Sequence, residues 1–595
     1  MRFASAFLIL LMAFDFTYAK APTSAPPTPE SKPEWVREWK EIKILSTRNR
    51  MKACDRLEKL SWASAFPFPN IIQEKKEDYC RQPPPVTHDF YGLMKLAQFY
   101  RHDFNLKSAQ KYLSRAARKA KTKRQKISYW KEQQRLDHSQ QNKQKRLRAA
   151  LKLKNLDPDK YLVDYARMLW TYDQRGKAIS TLKRAKKIFK KSTSLQEVYF
   201  VLGRIEEEKK QPTKALYYYD LALKQPTDST DVLTKVLAFA AWVNYSLGEY
   251  QLSDNYWQKL YEKSPEQFTK SRALYWRSVC QKALKQNDAA NQSLQKIIDD
   301  DPTSYYAILA YRDLKKPLTP IKPFDEDPQA VDKMKFFDET EKELLTWLSA
   351  LDEKEMAETL LLYRWDEALK APSSQQTAYF QFFWKLGLTN ALIRALYQLD
   401  DKTRLELTEK YQAALFPYHY EKEITQAAEE EKIDPYFVMA LIRQESAFNP
   451  EARSPTDALG LMQVMPSLAH KIAKKKKVNF KKSSELFNPS INLKIGTREL
   501  RNRLEDFNES ELLAAASYNA GLNVVKSWLK LRYKDNPVEF IEVIPYEETR
   551  SYVRLIIRNK IFYQRLFSKN SFLFPEDTLS EGWMPPKSSK KRAHR

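Results

Sequence analysis

Glycine is scarce in this chain, with nine residues in 595. No run alternates apolar and polar residues in the manner of a half-buried strand, so an architecture of many short strands joined by glycine turns is excluded. Cysteine is rarer still: Cys54, Cys80 and Cys280 are the full set, and the six histidines are scattered. No Cys/His group has metal-ligand spacing, which argues against a metal enzyme, and no cofactor is expected. Long hydrophobic runs are also missing, apart from Phe3 to Phe14. Twelve apolar residues are too few to span a bilayer, so no transmembrane anchor is expected.

That single run has the form of an export signal. Met1-Arg2 is a short positive start, and Thr17-Tyr18-Ala19 is a small-x-small cleavage site before Lys20. The expectation is a signal peptide over 1–19 and a soluble, exported, periplasmic chain with no lipid anchor, since no cysteine lies near the cleavage site. In that compartment Cys54 and Cys80 are either a disulfide or unpaired, and Cys280, inside a helical pattern, is buried and free.

Charge is abundant. The net value of +27 calls for a polyanionic partner. Nucleic acid is the usual candidate, but export makes it remote, and an anionic cell-wall polymer fits the compartment. Residues 101–155 are heavily basic, including Arg115 to Arg124 and Lys143 to Arg148. They read either as a contact surface or as a solvated helix face.

Residues 20–34 form a Pro-rich, disordered spacer. From about Trp35 to 415 the pattern is helical. Leu202-Gly203, Leu247-Gly248 and Ala283-Leu284 each precede an apolar helix that ends near Pro226, Pro265 and Pro302. A weaker earlier copy runs through Leu169-Trp170 and Gly176. The period is close to the 34-residue helix–turn–helix repeat of tetratricopeptide type, whose units stack into a superhelix. The aromatic residues in these repeats are expected in the core. The predicted fold is all-α, divided into a scaffold over 35–316, a helical linker domain over 317–415, a mainly α domain over 416–570 and a basic tail over 571–595.

Within 416–570, Glu445 ends an apolar helix that Asp434 caps and Pro435 opens. The negative end of the helix dipole and partial burial both favour its protonated form, which suits a general acid. Four motifs follow it: Ser454 with Ala458-Leu-Gly-Leu-Met-Gln-Val-Met-Pro466, Leu486-Phe-Asn-Pro489, Ala515-Ala-Ser-Tyr-Asn-Ala-Gly521, and Ile544-Pro-Tyr-Glu-Glu-Thr-Arg-Ser-Tyr-Val553.

This ordered set resembles the catalytic domain of the soluble lytic transglycosylases, which has a goose-type lysozyme-like fold. The resemblance covers about 418–570 and extends loosely to Asp301-Pro-Thr-Ser-Tyr-Tyr306. It implies an N-terminal α-superhelix, in the family a closed ring, and cleavage of the MurNAc-β-1,4-GlcNAc bond of peptidoglycan with formation of a 1,6-anhydro ring. It implies Glu445 as the single catalytic acid and base. Ser454, Gln463 and Met465 would line the cleft, and Tyr518 would orient the acetamido group or the catalytic carboxyl. Asn519 and Glu548 would also meet the glycan. Competing readings put Met465 and Tyr546 in the core and pair Glu548 with Arg550 or Arg554. Asp457 stands where the family usually has glycine and offers a second carboxylate, so a hydrolytic muramidase is the alternative. A non-catalytic wall scaffold, holding other cell-wall enzymes, is another. The chain is expected to be a monomer.

Overall fold

The computed structural model describes residues 28–46, 50–60, 62–80, 83–102, 105–139, 142–189, 194–226, 229–324, 327, 329–454, 458–476, 478–533, 536–575 and 579. The signal peptide, Asp457 and most of the basic tail lie outside the described residues. The described chain is helical, and its only extended pairings are isolated bridges. The chain separates into two compact units, one of residues 81–299 and one that joins the residues up to Cys80 to those from Asp300 onward.

Residues 81–299 are built from helix pairs. Pro158–Thr171 pairs with Arg175–Ile188, Ser194–Glu208 with Pro212–Leu223, and Thr230–Ser246 with Tyr250–Lys263, while Gln267–Ala283 is tied to the helix that follows it by the Ser293 hydroxyl, which donates to the Gln281 oxygen at 3.0 Å. The turn within each pair holds one left-handed residue: Asp173, Lys210, Gly248 and Lys285. Directly after it, the amide of Gln174, Gln211, Glu249 or Gln286 bonds the carbonyl five residues back, closing a Schellman turn. Apolar faces too narrow to bury alone then stack: Leu202, Ile205, Ala215, Tyr219, Val236 and Val243 share one core. The repeat aromatics Tyr219, Trp257, Tyr275 and Trp276 are buried as expected, while Tyr217 is exposed. Cys280 is buried and free. The basic residues Arg115, Arg118, Lys119, Lys123, Arg124, Lys143 and Arg148 are exposed, with Leu113 and Ala116 beneath them.

In the other unit, helices Arg50–Glu58 and Pro69–Tyr79 are joined by a Cys54–Cys80 disulfide, with Cα atoms 4.9 Å apart. Trp35 and Phe66 pack on Trp347, and Trp62 packs on both of them. Beside them Glu353 is buried between the Trp39 indole, 2.8 Å away, and the Lys75 ammonium, 2.7 Å away. Around the C-terminal half, the 21-residue helix Glu547–Phe567 is the central strut. The helices Pro435–Glu445 and Glu511–Ala520 both pack on it, because its residues Tyr552, Val553, Ile556 and Ile557 present a continuous buried stripe.

Candidate active site

The helix Pro435–Glu445 is set as its sequence requires. The Asp434 carboxylate accepts the Tyr436 amide at 2.8 Å, Pro435 fills the first turn, and Phe437 to Ile442 are buried. Glu445 is its last residue. The chain leaves through Ala447 and Phe448, two consecutive non-glycine residues at positive φ, 49° and 62°. Such backbone costs roughly 1–3 kcal/mol per residue and persists only where packing imposes it. Here Phe448 is buried against Tyr563 and His419, and the Ser446 hydroxyl donates to the Leu461 carbonyl at 2.7 Å.

That carbonyl belongs to the loop 452–464, which folds on itself through bridges of Leu459 to Arg453 and Val464. Gly460 has φ 75°, and a Cβ there would meet the Leu486 carbonyl and the Asn492 side chain. The buried Asn492 amide holds the loop with all its groups in use. Its oxygen accepts the Met462 amide at 2.9 Å, and its nitrogen donates to the carbonyls of Leu459 and Leu486, both at 2.8 Å.

Glu445 is the acceptor of a short bond: the Tyr552 hydroxyl donates to its Oε1 at 2.5 Å. Burial is the largest influence on the carboxyl and raises its pKa. The Tyr552 bond opposes this, Glu548 adds to it, and the group is pushed up to about 7. Burial first, and then Glu445 itself, hold the hydroxyls of Tyr518 and Tyr552 well above the ordinary tyrosine range, so both stay protonated donors. A half-protonated carboxyl near neutral pH, fixed by one neutral donor, can give a proton and take one back.

The other expected residues fall as follows. The Tyr518 hydroxyl donates to the Met462 carbonyl at 2.8 Å rather than to the carboxyl, and Glu445 acts on it through space. The Asn519 side chain accepts from Thr549 at 2.6 Å, tying the end of one helix to the start of the next. Gln463, at φ 48°, spends both amide hydrogens on the carbonyls of Ala452 and Gly460, which leaves its oxygen for a ligand. The Ser454 hydroxyl accepts the Ala458 amide at 3.0 Å. Met465 is 39% exposed and Tyr546 53% exposed, so neither is core. Glu548 is exposed and close enough to act on Glu445. Its expected ion-pair partners are engaged elsewhere: Arg554 with Glu542 at 2.6 Å, and Arg550 with the Ile544 carbonyl at 3.0 Å. Tyr552 was absent from the expected set. Its signal was its place four residues after Glu548, on the same face of one helix.

Residues 422–541 match the family described as Transglycosylase SLT domain. This segment is a transglycosylase SLT domain. Two curated relatives of the chain are soluble lytic murein transglycosylases. One, from Salmonella typhimurium, is 29% identical over 40% of this chain and 35% of its own. The other, from Escherichia coli K12, is 34% identical over 25% of this chain and 23% of its own. The chain thus matches only about a quarter to a third of the length of these relatives. A 70-kDa soluble lytic transglycosylase, solved in complex with bulgecin A, shares the fold: TM-score 0.54 at 16% identity, over 90% of this chain and 92% of that one. The Glu445–Tyr552 pair therefore spans the SLT domain and the helix just beyond its matched end.

Proposed function

We propose that the chain is a lytic transglycosylase that cleaves the MurNAc-β-1,4-GlcNAc bond of peptidoglycan without consuming water. The observation that carries this reading is a single carboxyl, Glu445, held near pKa 7 and bonded by one neutral hydroxyl, in a domain of the transglycosylase SLT family. Glu445 donates its proton to the glycosidic oxygen as the bond to C1 breaks. The resulting carboxylate then accepts the proton of the muramoyl C6 hydroxyl as that oxygen closes on C1. The proton count balances, and the product is a 1,6-anhydro end. Gln463, Met465, Asn519 and Glu548 contact the glycan, Ser454 shapes the loop beside it, and Tyr518 supports the carboxyl through the Met462 loop. The chain acts as an exported, periplasmic monomer with a scaffold over 35–316, a linker over 317–415 and a catalytic domain over 416–570.

Glu445→Gln should release no muropeptides from purified sacculi while keeping the wild-type melting temperature to within a few degrees. Mass spectrometry of wild-type products should give anhydro ends, lighter by one water than reducing ends. Reducing ends would instead make the chain a muramidase, and turnover by Glu445→Gln would remove this carboxyl from the mechanism.

A further inference from the structure

Away from the Glu445 cleft, one cavity of about 80 Å³ gathers positive charge that its walls do not balance. Arg404, Arg443 and Arg558 line it, together with Asp301, Tyr397 and Phe416. Arg443 lies two residues before Glu445, about 200° around the same helix, so the cavity backs the catalytic helix rather than sharing its cleft.

Each guanidinium carbon lies over an aromatic ring. Arg443 and Arg558 stand 4.7 and 5.7 Å from the centre of Phe416, and Arg404 stands 5.2 Å from that of Tyr397. A guanidinium held over a ring can still donate its N–H groups to partners beside it. The partners found there are neutral. Arg443 donates to the Leu415 carbonyl at 2.9 and 2.7 Å and to the Asn559 oxygen at 3.1 Å. Arg558 donates to the same Asn559 oxygen at 3.1 and 2.8 Å. Five of the ten N–H groups are thereby used, and among the described residues no carboxylate lies within ion-pair distance of either arginine. Arg404 alone has one, the exposed Asp401 at 2.9 Å. Burial, and then Arg443, push the Arg558 guanidinium down to about 9, against the opposing influence of Tyr397 and Asp301. A cavity needs only about 10–15 Å³ to hold a water, so this one has room for a tetrahedral or planar anion.

We propose that the cavity is a binding site for a small oxyanion, a phosphate or a carboxylate, gripped by the free in-plane N–H groups of Arg443 and Arg558 with Arg404 beside them. Fork-shaped donors suit two oxygens of one group, and the anion would add countercharge to that of Asp301, the one carboxylate among these lining residues.

The test is thermal unfolding of the full chain against inorganic phosphate or acetate, with chloride holding ionic strength constant. A ligand that binds only the folded state raises the melting temperature in a saturable way. Saturation by phosphate alone assigns phosphate, and saturation by acetate, alone or as well, assigns a carboxylate-accepting site. Arg558→Met should abolish the saturable part. Should that variant not fold, Arg404→Met should weaken the apparent affinity at least threefold. The proposal is overturned if neither anion exceeds chloride, or if the response is unchanged in whichever variant folds.

Discussion

At Glu445 two opposing influences act on one carboxyl. Burial and the nearby Glu548 raise its pKa, and the Tyr552 hydroxyl, bonding the ionised form better than the neutral one, lowers it. The balance near 7 has a kinetic consequence. The acid step needs the protonated form, so kcat/KM on soluble glycan should fall as pH rises through about 7. Tyr552→Phe removes the influence that lowers the pKa, so the falling limb should move to higher pH. The same change frees the carboxyl to rotate, and the plateau rate should drop on the order of 10–100-fold, because a misplaced acid loses most of its advantage. A pH–rate profile of the variant separates these effects. A lower plateau with an unmoved limb would mean that Tyr552 merely packs.

At the scale of the element, the cleft depends on a loop that a helix holds from behind. Asn492 bonds Met462, Leu459 and Leu486, and the loop in turn receives Tyr518 at Met462 and Ser446 at Leu461. Asn492→Ala would strand three buried backbone groups, at a cost of about 2–4 kcal/mol. The melting temperature should fall, and muropeptide release should fall more than the unfolded fraction explains, since the two segments that carry Glu445 and Tyr518 lose their common anchor. Equal losses would confine Asn492 to stability. Much at this scale was legible in the sequence. Asp434-Pro435 and Gly521 mark helix ends by local chemistry, and the motif order led to Glu445. The repeat was visible in its prolines, but its turn register was not, because three of its four left-handed residues are Asp173, Lys210 and Lys285 rather than glycine. The choice between Tyr518 and Tyr552 was equally hidden. Both are buried hydroxyls on helices, and only the packing of those helices decides which one reaches the carboxyl.

Across the whole molecule, the net charge of +27 is the property that local structure does not use. In residues 101–155 most of the lysines and arginines stand exposed above a small apolar stripe, so helix formation there does not depend on a partner. Their joint effect is a long-range field, and such a field is screened over about 10 Å at 0.1 M salt and about 30 Å at 0.01 M. An anionic wall should then capture the protein by charge, whereas Glu445 acts at contact distance inside a partly buried cleft. The two should separate with ionic strength. Pelleting of the Glu445→Gln variant with sacculi should decline steeply as salt is raised. Wild-type cleavage of short glycan chains without peptides, which carry little charge for the field to act on, should change far less over the same range. Pelleting that ignores salt would place wall affinity in the glycan cleft and leave the basic face as a device for solubility alone.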